Sequence, residues 1–183
     1  MTVFYTSDEH YGHRNIITYC NRPFRDTEEM TEELVRRHNA VVSANDLVYH
    51  LGDFALDERL VEPTLKRLTG KHRLIVGNHD RCHPCRGGFK KARQRYIGYG
   101  FEDVLVRMSE PLFDAEHLPY AGSGDHVEKE RYAEWRPKNR GRWLLHGHIH
   151  TLWKVRDRMI NVGVDVWDYA PVTLDSLLAI IRD

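Results

Sequence analysis

The stretch WLLHGHIHT, residues 143–151, carries three histidines at alternate positions behind an apolar lead-in. Its Trp-Leu-Leu lead-in is typical of a buried strand, and alternate residues of a strand point to one side of the sheet. Gly147 should interrupt this strand, so we expect His148 and His150 to lie where the strand runs out into a loop. Because neutral imidazole is a common metal ligand, the stretch predicts a metal site at a strand end.

Three other predicted strands end in residues of the same chemical kind. These residues are Asp8 and His10 in SDEH, Asp53 in LGDF, and Asn78, His79 and Asp80 in GNHD. Strand ends at one edge of a layered α/β fold meet in space even when they are far apart in sequence. One site could then gather two carboxylates, one amide oxygen and at least three imidazoles. Since a single zinc ion takes four ligands, this set points to two ions.

Each of these motifs is weak when it stands alone. Asp-x-His is common, Gly-Asp usually marks a turn, and Asn and Asp also suit turns and helix caps. HGHIH by itself could be a surface strand. The four motifs in this order, each behind a buried strand, are far more specific than any one of them.

The rest of the chain predicts a mixed fold in which strands and helices alternate early and strands dominate late. We expect strands within 2–6, 46–53, 72–80, 101–107 and 111–120, and helices within 27–43, 63–70 and 87–100. The first of these helices is expected to start at an N-cap Thr27, and residues 121–142 to form a long surface loop. This pattern favours an α/β or α+β arrangement, with residues 1–183 as one domain.

The composition is that of an ordinary globular chain. Lys+Arg and Asp+Glu both number 27, which predicts neither wholesale nucleic-acid binding nor membrane binding, and no obligate protein partner is indicated. The start has no signal-peptide pattern, and no segment is long and apolar enough to span a bilayer. Three cysteines fit a reducing compartment, so we expect a cytoplasmic protein. Cys82 and Cys85 are interpreted as loop residues, with a separate zinc site as the alternative.

In these four motifs the sequence resembles the calcineurin-like metallophosphoesterase superfamily, and in particular its small bacterial and phage members. The family pattern of Asp-x-His, Gly-Asp, Gly-Asn-His-Asp and Gly-His-x-His occurs here in order, ending at G147-H148-I149-H150. The resemblance covers about residues 3–166, and the wider stretches SDEHYGHRNII and INVGVDVWDYAPV look like those small members. It implies a four-layer αββα sandwich.

The resemblance also implies a ligand set for two metal ions. The first ion would be held by Asp8, His10 and His150, the second by Asn78, His148 and one further histidine, with Asp53 bridging both. For that further histidine we choose His117, because EHLPY resembles the family's His-x-Pro element; His126 is the alternative. His146 has no place in the pattern and is expected to be a packed strand residue.

Such a centre would hydrolyse phosphate esters. A hydroxide shared by two divalent ions would attack phosphorus, and manganese is the first choice for these ions, with iron, zinc or nickel as alternatives. His79 is the expected general acid, with Asp80 orienting it. His13 and Arg14 are expected to contact substrate, although they could instead only cap the helix that follows.

The sequence does not decide between a phosphate diester and a phosphate monoester as the substrate. The polar loop carries basic and aromatic residues that could contact a nucleotide or a nucleic-acid end: Lys129, Arg131, Tyr132, Trp135, Arg136, Lys138, Arg140 and Arg142. Its glutamates balance part of this charge, so a plain solvated loop is the other interpretation. We expect a phosphodiesterase acting on nucleotide or nucleic-acid-type esters; the alternatives are a phosphomonoesterase of small substrates and a catalytically silent interaction scaffold.

Overall fold

Two five-stranded sheets form the centre of the protein in the computed structural model, which describes residues 1–122 and 131–183. These residues contain five α-helices and ten strands. The helices are α1 (Arg14–Tyr19), α2 (Thr27–Val41), α3 (Val61–Leu65), α4 (Phe89–Tyr99) and α5 (Leu174–Arg182). The strands are β1 (Val3–Thr6), β2 (Leu47–His50), β3 (Lys71–Ile75), β4 (Asp103–Leu105), β5 (Met108–Ser109), β6 (Phe113–Ala115), β7 (Trp143–His146), β8 (Val155–Arg156), β9 (Met159–Asn161) and β10 (Val172–Thr173).

The first sheet has the strand order β10-β1-β2-β3-β4. Its four strands β1 to β4 are parallel, and β10 adds to the edge in the antiparallel direction. Parallel neighbours need crossover connections, and helices α1 to α4 lie in those connections along the chain. The carboxyl ends of β1 to β4 therefore all lie at one edge of the sheet.

The second sheet has the order β5-β6-β7-β9-β8. Its central strands β6, β7 and β9 are parallel, whereas the short edge strands β5 and β8 are antiparallel to their neighbours. A parallel bridge between Ser7, just past β1, and Gly163, just past β9, joins the two sheets at their carboxyl ends. The candidate metal ligands that follow the strands of both sheets are thereby brought to one side of the molecule.

Alternate side chains of each strand point to opposite faces of the sheet, so the first sheet contributes to an apolar core on each face. Tyr5 of the first sheet stacks on Tyr49 with ring centroids 5.3 Å apart and meets the ring of Phe113 of the second sheet edge-on at 5.9 Å. Leu74 points the other way, into the core formed with the helices. The buried side chains between the sheets also include Leu47, Leu51, Ile75, Ala115, Leu145, Ile160, Val162, Val172 and Leu177.

The expected mixed α/β fold is confirmed by this arrangement. Leu177 of α5 is buried in the core between the sheets. Within the described part of the polar segment, Ala133–Trp135 forms a single 3-10 turn, and a cavity of about 470 Å³ separates the segment from β5 and β6. Among the described residues no helix has the length and apolar character needed to cross a bilayer.

Two helix starts differ from the sequence prediction. The N-cap of α2 is Asp26 rather than Thr27, since the Asp26 carboxylate accepts a hydrogen bond from the Glu29 N–H at 2.9 Å. An aspartate in extended backbone one residue earlier satisfies this free N–H, so Thr27 enters the helix. Helix α3 begins at Val61, not at Pro63, because the 3-10 turn Glu58–Leu60 runs directly into it.

Candidate metal centre

The loops that follow β1, β2, β6 and β7 are tied to one another by hydrogen bonds. The N–H groups of Asp8 and His10 donate to the carbonyls of Gly52 and Asp53, at 3.0 and 2.9 Å. The His148 N–H donates to the Asp8 carboxylate at 2.9 Å. The loops of the two sheets thus form one connected rim, as expected from the convergence of strand ends.

The first cluster consists of Asp8, His10 and His150, which are all buried. One ligand atom from each residue lies within 4.8 Å of the other two. The Nε2 atom of His10 is 4.0 Å from the Asp8 carboxylate. One carboxylate and two imidazoles at this spacing could hold a divalent cation.

The second cluster consists of Asp53, His117 and His148, again buried and with ligand atoms within 4.8 Å of one another. His117 Nε2 lies 3.4 Å from an Asp53 oxygen and 3.0 Å from the Asn78 side-chain oxygen. The amide oxygen of Asn78 therefore faces the same space as the imidazole of His117. The residues that follow β1, β2, β3, β6 and β7 therefore lie in or directly beside the two clusters.

Asp53 lies between the two clusters. One of its carboxylate oxygens is 3.5 Å from His10 Nε2 and 3.4 Å from His117 Nε2, so a single oxygen faces both groups of ligands. His10 Nε2 is buried and has no hydrogen-bond partner among the described residues. An unpartnered imidazole nitrogen among carboxylate oxygens is costly unless a cation occupies the gap. The oxygen and nitrogen donors suit divalent transition metals.

The charges of the second cluster also suit a cation. Burial acts to lower the pKa of His117, but Asp53 and then Asp8 outweigh it and raise the pKa to about 9. Burial acts in the opposite direction on Asp53, yet His117 and His79 hold the pKa of that carboxyl well below its usual range. The pocket thus retains a positive charge beside Asp53, and a bound metal ion would replace that proton.

The backbone of these loops is left-handed at five predicted ligands. The residues and their φ angles are Asp8 at 60°, His10 at 54°, Asp53 at 54°, His148 at 72° and His150 at 49°. Such values cost energy for residues with a Cβ and concentrate at functional sites. They also correct the expectation that alternate residues share a strand face. β7 ends at His146, and the turn beyond it sends His148 to the second cluster and His150 to the first.

Two of the expected catalytic and substrate-contacting residues lie at the open side of the clusters. The His79 ring is half-buried, with its centroid 5.3 Å from that of His10 and 6.1 Å from that of His13. His13 Nδ1 is 3.4 Å from His10 Nδ1, and its side chain makes no capping hydrogen bond to α1. Arg14 is exposed in the first turn of α1. His13 therefore lies beside the first cluster and does not cap α1 with its side chain.

Asp80 makes contacts different from the expected pairing with the His79 ring. Its buried carboxylate accepts hydrogen bonds from the N–H groups of Gly77, Asp53 and Phe54, at 2.7, 3.0 and 3.2 Å. Among the described residues none of its hydrogen bonds goes to His79. Asp80 instead joins the loop after β3 to the loop that presents Asp53, because its oxygens match the free N–H groups of both turns.

A family model described as calcineurin-like phosphoesterase matches residues 1–152 of the chain. The chain belongs to the calcineurin-like phosphoesterase family. The match covers every strand end that contributes to the two clusters. The resemblance in the sequence motifs is confirmed.

Similar proteins occur in an archaeon and in phages. An uncharacterized protein of Methanocaldococcus jannaschii is 32% identical over 190 residues, covering 98% of this chain and 91% of that protein. The Gene 66 protein of Mycobacterium phage L5 is 31% identical, covering 90% of this chain and 87% of that protein. The crystal structure of a protein of unknown function from Aquifex aeolicus has the same fold, with a TM-score of 0.69, 20% identity and 98% coverage of both chains.

Two further histidines and two cysteines named in the sequence analysis lie as follows in this family member. His146 is buried; its Nδ1 is 2.7 Å from the Gly147 carbonyl, and its ring packs on Trp153. This agrees with the expected packed strand residue. His126, the alternative to His117, lies outside the described residues. The candidate metal groups of the described residues include neither Cys82, which is buried, nor Cys85, which is exposed.

Sequence reasoning missed three residues that lie beside the first cluster: Cys20, Arg22 and Asp165. Ligand atoms of Cys20, His150 and Asp165 lie within 4.8 Å of one another, and Arg22 pairs with Asp165. Asp165 follows the end of β9, so the strand-end argument could have found it. Arg22 and Cys20 follow α1 with no recognisable motif, and only the folded chain brings them here.

Proposed function

We propose that this protein is a binuclear metal-dependent phosphodiesterase that hydrolyses nucleotide or nucleic-acid-type phosphate esters. The observation that carries the proposal is the pair of buried clusters that share Asp53, whose oxygen lies within 3.5 Å of a histidine from each side. Membership in the calcineurin-like phosphoesterase family supports phosphoester hydrolysis as the reaction.

The chain offers a complete set of ligands for two ions. Asp8, His10 and His150 would hold the first ion, with Asp53 as the bridging ligand. The second ion would be held by Asn78, His117 and His148. Two bound divalent ions, with manganese as our first candidate and iron, zinc or nickel as alternatives, would supply a nucleophile at neutral pH and neutralise the phosphate.

His79 is assigned the role of general acid in this proposal. Its N–H donates to Asp53 at 2.8 Å, which fixes the backbone from which the imidazole projects over the clusters. From there the ring can give a proton to the leaving oxygen, a contribution of about 10²- to 10⁴-fold in rate. Asp80 acts as a positioning residue, since it holds the two turns that carry His79 and Asp53. His13 and Arg14 are proposed to contact the phosphate or its substituent.

The preference for a nucleotide-like diester rests on the polar segment beside the second cluster. The Tyr132 ring centroid lies 6.3 Å from that of His148, and the Trp135 ring lies 5.3 Å from that of His83. Arg136 donates to the Pro119 carbonyl at 2.7 Å, which ties this segment to the loop after His117. Half-buried aromatic and basic side chains at the rim of a phosphoesterase site suit a base and its phosphate.

We also propose a cytoplasmic location, which the three free cysteines support.

The test is a metal-by-substrate screen of the purified protein. Mn²⁺, Fe²⁺, Zn²⁺ and Ni²⁺ would each be combined with bis-p-nitrophenyl phosphate, p-nitrophenyl phosphate, a cyclic nucleotide and short DNA. We expect diester hydrolysis by the wild type and a loss of at least two orders of magnitude in Asp53→Asn. The control Asp57→Asn changes a partly exposed carboxylate that caps the 3-10 turn Glu58–Leu60, and it should keep full activity. Equal activity of the wild type and Asp53→Asn, or inactivity of the wild type with every metal, would refute the proposed enzymatic activity. Faster hydrolysis of the monoester would refute only the diester preference.

A further inference from the structure

Arg22 and Asp165 form a buried ion pair directly behind the first cluster. Both side chains are 0% exposed, and the two residues are 143 positions apart in the sequence. The guanidinium binds the carboxylate in a two-pronged manner, with Nε 2.8 Å from one oxygen and Nη2 2.9 Å from the other. Fully buried charges are costly to desolvate, so a pair retained in this place calls for a role.

The remaining N–H groups of Arg22 contact the loop that carries two ligands of the first cluster. Nη2 donates to the Asp8 carbonyl at 2.7 Å, and Nη1 donates to the Glu9 carbonyl at 3.0 Å. Nη1 is also 3.4 Å from the Met30 sulfur, so all five donors of the guanidinium can be accounted for. Because this loop is left-handed at Asp8 and His10, it needs such contacts to hold its shape.

Asp165 contacts the third ligand of the same cluster. One of its oxygens lies 3.5 Å from His150 Nδ1, on the ring edge away from Nε2. Carboxylates in this position fix the orientation and tautomer of a metal-binding imidazole and raise its basicity. The backbone of His150 is also held, since the Asn161 amide donates to its carbonyl at 2.8 Å. The ion pair therefore touches the elements that present all three residues of the first cluster.

The group formed by Cys20, His150 and Asp165 does not suit a third metal ion. Both oxygens of Asp165 already accept charge-assisted hydrogen bonds from Arg22. A metal cation bound there would lie close to the guanidinium, whose positive charge would repel it. The geometry fits a support for the first cluster and not a site of its own.

We propose that the Arg22–Asp165 pair is a positioning device for the metal position formed by the first cluster. Arg22 fixes the loop of Asp8 and His10, and Asp165 aims the imidazole of His150. The inference rests on the binuclear centre of the proposed function. It predicts that the pair controls metal affinity at one of the two positions and leaves the other nearly unchanged.

The first experiment measures Mn²⁺ binding to the metal-free protein by calorimetry, with EPR of the bound ions as a second readout. Relative to the wild type, we expect Asp165→Asn and Arg22→Lys to weaken one of two Mn²⁺ positions by about 10- to 100-fold. The other position should stay within about threefold of the wild-type affinity, because its ligands make no contact with the pair among the described residues. The control variants Arg93→Lys and Asp103→Asn alter a half-buried ion pair on the helix side of β4, and both positions should then bind as in the wild type.

The second experiment separates positioning from a merely structural role. A single substitution leaves a buried charge without its partner and could unfold the protein. The double variant Arg22→Met/Asp165→Leu removes both charges, so its thermal midpoint should return close to that of the wild type. We expect its first position to remain weakened by about 10-fold or more.

The outcomes distinguish this inference from the proposed function. Wild-type affinity at both positions in a folded Asp165→Asn or double variant overturns the positioning role and leaves the binuclear centre intact. Failure of the wild-type protein to bind Mn²⁺, Fe²⁺, Zn²⁺ or Ni²⁺ at all overturns both. Equal weakening of both positions overturns the assignment of the pair to the first cluster.

Discussion

At the scale of single residues, the histidines of this protein differ in what surrounds their rings. The rings of His10, His117, His148 and His150 are buried among carboxylates. His146 is buried in an apolar setting, and that burial lowers the pKa of its imidazole to about 3. His79 is only half-buried, and its ring centroid lies 5.3 Å from that of His10. A proton donor needs such access to the leaving group, whereas a ligand or a core residue does not.

His79→Gln should therefore reduce turnover in a manner that depends on the leaving group. For esters with an alkyl leaving group we expect a loss in kcat of about 10²- to 10⁴-fold. For p-nitrophenyl esters the loss should be much smaller, because p-nitrophenolate departs without being protonated. The measurement is kcat and KM for both ester types, with Mn²⁺ affinity as the control for an intact centre. A loss of equal size with both leaving groups would contradict the assignment of His79 as the acid.

At the scale of structural elements, the site depends on the close approach of the loops after β2 and β3. Gly52 has a φ of +91°, and a Cβ on it would lie 2.4 Å from the Gly77 nitrogen. A Cβ on Gly77 would lie 2.4 Å from the Asp53 nitrogen and 2.2 Å from an Asp53 oxygen. Only residues without a side chain allow the two turns to pass at this distance. Asp80 then binds the N–H groups of both turns.

Gly77→Ala should push Asp53 out of its place between the clusters. We expect a loss of unfolding free energy of about 1–3 kcal/mol, since the added methyl group meets backbone that cannot yield cheaply. Mn²⁺ affinity should fall at both positions, because Asp53 faces both. The matched control is Gly98→Ala in α4, where a Cβ meets nothing within 4 Å, and a gain of up to about 1 kcal/mol is expected there. If Gly77→Ala bound Mn²⁺ with wild-type affinity, the added methyl group would not displace Asp53 and the prediction would be wrong.

At the scale of the whole molecule, a second group of histidines is buried between the first sheet and the helices. His50 Nε2 is 3.1 Å from His72 Nδ1, and the His38 ring lies 5.5 Å from that of His72. Burial lowers the pKa of His38 to about 4 and that of His50 to about 3. Glu9 is 2.7 Å from His50, and burial raises the pKa of Glu9 to about 7. The three histidines make the stability of the folded state dependent on pH outside the two clusters.

The sign of the histidine contribution is fixed by the direction of the pKa shifts. In the unfolded chain a histidine takes up a proton near pH 6.5, whereas folded His38 stays neutral down to about pH 4. The unfolded state therefore binds more protons in this window, and stability falls as the pH falls. His38→Gln removes one such group. As the pH falls, its free energy of unfolding should therefore decrease less steeply than that of the wild type, and the two slopes should differ by about 1.4 kcal/mol per pH unit. Glu9 contributes with the opposite sign but is present in both proteins.

The measurement is urea unfolding of the metal-free proteins at intervals between pH 7.5 and 4.5. Val41→Ala, an exposed position at the end of the same helix, is the control and should keep the wild-type slope. Above pH 7 the two profiles should run parallel, because His38 is then neutral in both states. An identical slope for wild type and His38→Gln below pH 6.5 would show that His38 is protonated in the folded protein.

The sequence alone indicated the mixed order of strands and helices, although it did not delimit α1 and did not predict α5, and through the family resemblance it supplied the candidate ligands. Apolar runs indicate the strands, and the runs at 2–6 and 46–53 lead to Asp8 and Asp53, which lie in the clusters. The run at 72–80 leads to Asn78, whose side-chain oxygen lies 3.0 Å from His117 Nε2. This works because the local period and the strand-end position are properties of short segments. Thr27 was misplaced as a cap because the competing Asp26 is adjacent, and such boundaries depend on a single side-chain hydrogen bond.

The family resemblance implied that His148 and His150 hold different ions, but only the tertiary structure gave the backbone that separates them and the contacts that support them. His148 and His150 are two positions apart yet belong to different clusters, since the backbone between β7 and the next turn is left-handed. Arg22 meets Asp165 across 143 positions, and no local pattern could indicate this contact. The sequence determined which chemical groups stand at the strand ends. The meeting of the two sheets decided which of them face each other, because separations of a few ångströms between distant segments are fixed by packing and not by local preference.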